Sequence, residues 1–189
     1  MNIDDAVRLI TSGEGLRVEL KAALPTRQVA ICKEIAALAS TDGGHVFLGV
    51  SDDGVVVGMT TAERSTLGER LESWVRHHVS PLPLIDLEWL EIDGLAVLCI
   101  AVERGSSPLY YFDRVPYIRV GTISHPAEPH QVLEKILGWS VTDKISDIKK
   151  DLTATHPNRH TAAAIFGQGE LATMNYETLL ERLRRDLLS

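Results

Sequence analysis

The sequence predicts an α+β fold: a mixed, mainly antiparallel sheet of about six strands in hairpins, two helices packed against it, and a C-terminal helical extension. Three observations carry that expectation. Short stretches such as LRVEL (16–20), HVFLGV (45–50) and LIDLEWLEI (84–92) alternate apolar and polar residues or run apolar throughout. Two longer stretches, 26–39 and 60–79, repeat apolar residues at helical spacing. The dipeptides Asp53-Gly54, Asp93-Gly94 and Asp113-Arg114 stand between apolar runs, where hairpin turns belong.

Residues 3–11 read as a short helix with Ile3, Val7 and Ile10 on one face, broken by Ser12-Gly13. From Leu16 to Leu20 the alternation sets Leu16, Val18 and Leu20 to one side and Arg17, Glu19 and Lys21 to the other, as in a half-buried strand. Thr26 is placed to cap the next helix, whose stripe is Val29, Cys32, Ile35, Ala36 and Ala39. Gly43-Gly44 ends it with a left-handed cap. Strand 45–50 then turns at Asp53-Gly54 into a return strand, VVVGM (55–59). In the second helix Leu67, Leu71, Trp74 and Val75 face inward, and Pro81 and Pro83 close it. LIDLEWLEI pairs with LAVLCIAV (95–102), which is apolar enough to be buried on both faces. A third hairpin joins LYYF (109–112) to PYIRVG (116–121). These elements make one domain over 1–128. Residues 129–189 form a helical extension, with Val141, Ile145, Ile148 and Leu152 in register and a last helix capped by Asn175 that carries a leucine stripe.

Composition sets bounds on function. The 189 residues are 44% hydrophobic and 24% charged, enough for a sizeable core. Cys32 and Cys99 each sit in an apolar pattern, so they read as core residues of a protein in a reducing cytoplasm. The acidic N-terminus has no signal-peptide pattern, and LAVLCIAV is too short to span a bilayer. A net charge of −7 argues against an all-over basic coat for phosphate, yet leaves room for a local basic groove or an acidic metal site.

The acidic option has a concrete form. Glu19 and Lys21 share one strand face, Glu14 lies in the approach, and Asp52 stands at the mouth of the following hairpin. Carboxylates so gathered can hold a hard cation, Mg²⁺ or Mn²⁺, which polarises a phosphodiester and activates a hydroxyl. Lys21 then neutralises charge in the transition state, and Arg17 on the same face holds a phosphate. The same residues also suit an ordinary wet strand face, with Asp52-Asp53-Gly54 as plain turn chemistry. On the third hairpin Tyr111 and Arg119, with Tyr110 and Tyr117 beside them, either stack bases and grip a backbone or serve the core.

Three segments carry a resemblance: Glu14-x4-Glu19-x-Lys21, ALASTDGGHVFLGVSDDG, and SPLYYFDRVPYIRVG. In this order, residues 13–122 resemble the Schlafen/AlbA-type DNA-binding domain, with Ser40 where asparagine is commonest in the family. The resemblance implies a nucleic-acid-binding protein for RNA or DNA. In the Schlafen branch it implies a metal-dependent endoribonuclease on structured RNA such as tRNA. Its acidic trio falls on Glu14, Glu19 and Asp52 (or Asp53), and Lys21 matches a lysine that is commonly retained. A single-lobe chain of this kind is expected to act as a homodimer. The alternative is a non-catalytic DNA-binding regulator or assembly module that recruits a protein partner through its C-terminal helices.

Overall fold

The computed structural model describes residues 1–25 and 27–139. The chain divides into two compact units, Met1–Val132 and Leu133–Ser189. The second is described only over 133–139, which are helical, so the later expected helices and the Thr26 cap lie outside the described residues.

In the first unit the order is α1 (Ile3–Ser12), β1 (Val18–Lys21), a 3-10 turn (Gln28–Ala30), α2 (Ile31–Ala39), β2 (Gly44–Leu48), α3 (Thr61–His78) and β3 (Val79–Ser80). There follow β4 (Ile85–Ile92), β5 (Leu95–Val102), β6 (Tyr110–Phe112), β7 (Val115–Val120) and β8 (Ile123–Pro126). The α+β class holds, but the strands split into two four-stranded sheets, ordered β1-β2-β5-β4 and β3-β6-β7-β8. One pairing is parallel: β1 runs alongside β2, with Glu19 opposite Val46, because α2 crosses over between them. The other ladders are antiparallel.

The first sheet is covered on both faces, and strand alternation sorts its residues. Val18, Leu20, Phe47, Val97 and Cys99 join Ala6 and Ile10 of α1 in one core cluster. Val46, Leu48, Leu98 and Ile100 point the other way, into a cluster with α2, α3 and Tyr110 and Phe112 of the second sheet. Helix α1 therefore packs through Ala6 and Ile10, while Ile3 and Val7 stay exposed. Helix α2 contacts strands of both sheets and is buried nearly all round, Glu34 included. Two glycines make that packing possible. Gly43 adopts φ 69°, and a Cβ on Gly44 would overlap the backbone of Arg17.

Two details differ from the sequence reading. The segment 55–59 is not a regular strand: Val50 and Val56 form a lone bridge, and the amides of Val57 and Gly58 both donate to Gly49 O. Gly49 (φ 95°) and Gly58 (φ 76°) bend the chain there, which breaks a ladder that side-chain pattern alone suggested. Strands β3 and β8 are short additions on the edges of the second sheet. Helix α3 starts at a reciprocal cap, in which Glu63 N donates to Thr60 Oγ1 and Thr60 N to Glu63 Oε2.

Candidate functional site

Strand β1 puts Val18 and Leu20 into the α1-side core, so Glu19 and Lys21 face the opposite way. That face is covered rather than wet: Glu19 is only 4% exposed. A buried carboxylate needs counter-charge. Lys21 Nζ stands 2.6 Å from Glu19 Oε1 and 3.5 Å from Glu14 Oε1, and it also donates to Leu20 O at 2.9 Å. Arg119 Nη2 stands 2.6 Å from Glu19 Oε2, close enough for a strong ion pair though not aligned as a hydrogen bond.

Arg119 is the centre of this arrangement. Of the two roles its sequence context allows, gripping a nucleic-acid backbone or serving the core, the structure shows the second: the side chain is wholly buried and its donors are engaged. Nε donates to Gly15 O at 2.8 Å, Nη2 to Val18 O at 2.9 Å, and Nη1 to Ser124 Oγ at 3.1 Å and to Glu34 Oε2 at 3.4 Å. A guanidinium held in this way by β1, α2 and β8 cannot reach a phosphate. Glu34, which the sequence reading passed over, is the second buried acid, with Lys33 Nζ 3.4 Å from its Oε1. Its signal was present: a glutamate inside the otherwise apolar run ICKEIAALA.

The other candidates stand apart from this centre or at its margin. Glu14 joins it, accepting from Leu20 N at 3.1 Å. Asp52 is exposed in the turn after β2, beside Asp53, which accepts from Ser51 Oγ. Among the described residues no three His, Cys, Asp or Glu side chains gather as a metal site. As arranged, Glu14 and Glu19 do not fit Mg²⁺ or Mn²⁺, because the Lys21 ammonium takes the position between them that the cation would need. Burial by itself would lower the Lys21 pKa. The hydrogen bond and charge of Glu19, with Glu14 and Glu34 behind it, outweigh burial and hold it above its ordinary value.

Arg17 is exposed and donates from Nη2 to Asp42 O at 2.9 Å. Tyr111 is half-buried and lines a separate cleft of about 790 Å³ with His77, His78, Ser80, Asp113 and Arg114.

The two sheets, the buried α2 and the Glu19–Arg119 pair all fall within residues 14–128, the span matched by the family profile described as Schlafen, AlbA_2. The chain belongs to that family. Within this Schlafen/AlbA_2 domain the STDGG segment works as a clasp. Ser40 Oγ accepts from Tyr110 N at 2.7 Å, and Thr41 Oγ1 accepts from Arg119 N at 3.2 Å, so the end of α2 is tied to β6 and β7. The domain is similar in fold to the DIP2311 protein from Corynebacterium diphtheriae, at 17% identity and TM-score 0.52. That match covers 70% of this chain, which spans 27% of the other's length. A weaker likeness, 19% identity and TM-score 0.41, links 52% of the chain to 72% of the N-terminal domain of a RecG-related protein from Nitrosomonas europaea. No curated protein matches the sequence. No helix of the described residues is long and apolar enough to cross a membrane.

Proposed function

We propose that this Schlafen/AlbA_2 domain binds nucleic acid without cleaving it at Glu14, Glu19 and Asp52. Family membership supports the binding half of the reading. The observation that carries the non-catalytic half is the state of Glu19: its two oxygens face Lys21 and Arg119, at 2.6 Å each. A metal-dependent endoribonuclease acting on structured RNA would have to release that carboxylate from both cations. In a site this buried, the release costs several kcal/mol (~3–5) before any metal is bound. The acidic cluster then serves as the structural floor of the domain, and contact with phosphates falls to exposed cations such as Arg17.

Fluorescence anisotropy with labelled tRNA, single-stranded RNA and duplex DNA across a salt series tests both halves. Binding that weakens steeply with salt, with Arg17→Ala flattening the slope by about one counterion, is the expected result. The same samples, incubated with Mn²⁺ and run on a denaturing gel, should stay intact. Chelator-sensitive cleavage that Asp52→Asn abolishes would instead establish the ribonuclease.

A further inference from the structure

The cleft beside Tyr111 is built on hydrogen-bonded and ion-paired segments. Strand β3, which continues directly from α3, pairs with β6 so that Ser80 lies opposite Tyr111. The Asp113 amide donates to His78 O at 3.0 Å, pinning the β6–β7 turn to the end of the helix. His78 Nδ1 lies 2.6 Å from Asp113 Oδ1, and Arg27 Nη2 lies 3.0 Å from Asp113 Oδ2. His77 Nδ1 lies 2.6 Å from Ser73 O. A carbonyl oxygen only accepts, so Nδ1 carries the proton in His77. The charge of Asp113 favours the same tautomer in His78. Both rings thus have Nδ1 tied down, and a proton taken up along with an anion goes on Nε2, which then donates to it.

Arg114 adds a second line of evidence. The β6–β7 turn holds Asp113 at φ 48° and Arg114 at φ 69°. The β4–β5 hairpin makes the same kind of turn with Asp93 at φ 51° and Gly94 at φ 76°. Glycine is the unstrained choice at the second position, and this chain uses it in one hairpin but not in the other. The arginine in this strained position stands at the rim of the cleft. Among the described residues it has no ion-pair partner. Arg76 in the last turn of α3 offsets the negative end of the helix dipole, which would otherwise repel an anion.

We propose that this cleft seats one nucleotide of a single strand, the phosphate taken by His77, His78 and Arg114 and the base set against Tyr111. The volume of about 790 Å³ suits a ligand of that size. The inference rests on the nucleic-acid-binding reading and gives it a location. Its first test is Arg114→Gly, which relaxes the turn while deleting the cation. Single-strand affinity, read by anisotropy, should fall about tenfold while the melting temperature holds or rises. His78→Asn keeps a donor for Asp113 but removes Nε2, and should also weaken binding several-fold. Uridine monophosphate and inorganic phosphate, titrated separately, should both shift the His77 and His78 ring signals, with only the nucleotide moving Tyr111. If oligonucleotides bind the parent protein and both variants equally, the cleft assignment is overturned and the nucleic-acid reading stands. If the parent binds no nucleic acid and phosphate leaves the histidines unmoved, both fall.

Discussion

Glu19 on β1 and Arg119 on β7 belong to different sheets, yet they meet at 2.6 Å inside the domain, each almost sealed from solvent. The pair joins the parallel edge of the first sheet to the centre of the second, and Glu34 of α2 completes it. Charge in the core is costly unless matched, so each member is held in place by the others.

Removing one member should therefore be expensive. Arg119→Met should lower stability by about 3–5 kcal/mol in urea unfolding, and Glu19→Gln by a comparable amount. The double variant should cost clearly less than the sum of the two. Strict additivity would mean that the pair is not coupled. A loss of any activity in a Glu19 variant is thus uninterpretable unless its folding is measured alongside.

Lys21 sets a pH limit. Its folded-state pKa is raised, so its contribution to stability is fully present below the unfolded value and is lost as pH rises through the folded one. Stability should fall above about pH 10.5, and Lys21→Met should flatten that part of the profile. Urea midpoints of the two proteins at about pH 9 and about pH 11.5 provide the comparison, since other titrating groups cancel in the difference. Parallel profiles would contradict the assigned role.

Cys32 and Cys99 are buried, and burial pushes both thiols up to about 12. A thiol so far from ionising is a poor nucleophile at neutral pH. Neither should react with a disulfide reagent while the protein is folded, and both should label at the rate of unfolding. Fast stoichiometric labelling in native buffer would show that one of them is accessible.

Gly44 and Gly94 separate two costs of adding a Cβ. At Gly44, φ is 150° and the new atom would collide with the Arg17 carbonyl, so Gly44→Ala should destabilise by more than about 2 kcal/mol. At Gly94, φ is 76° with open space around it, so Gly94→Ala should cost only about 1 kcal/mol of backbone strain. Thermal melts of the two variants give the difference directly. Equal losses would mean that the approach of β1 to β2 is looser than it stands here.

How much of this was written in local pattern can be judged residue by residue. The inward face of α3 through Leu67, Leu71 and Val75, the doubly buried β5 and the turn at Asp93-Gly94 follow from spacings of two and 3.6 residues, and they stand as read. The return strand after Asp53-Gly54 did not form, because the bend at Gly49 and Gly58 outweighs the β-propensity of three valines. Glu14, Glu19 and Lys21 do come together, as the motif suggested, whereas Asp52 remains on its exposed turn.

By itself the sequence determined most of the elements, their polarity and the family, since those depend on neighbours a few positions away. Alternation also told which residues share the Glu19 face of β1. What lies over that face was decided only in three dimensions, where α2 and β7 close on it and turn an expected wet surface into a buried ion pair. A carboxylate's surroundings, more than its identity, determine whether it can take a metal or must be neutralised by arginine. Those surroundings are built from segments far apart in the chain.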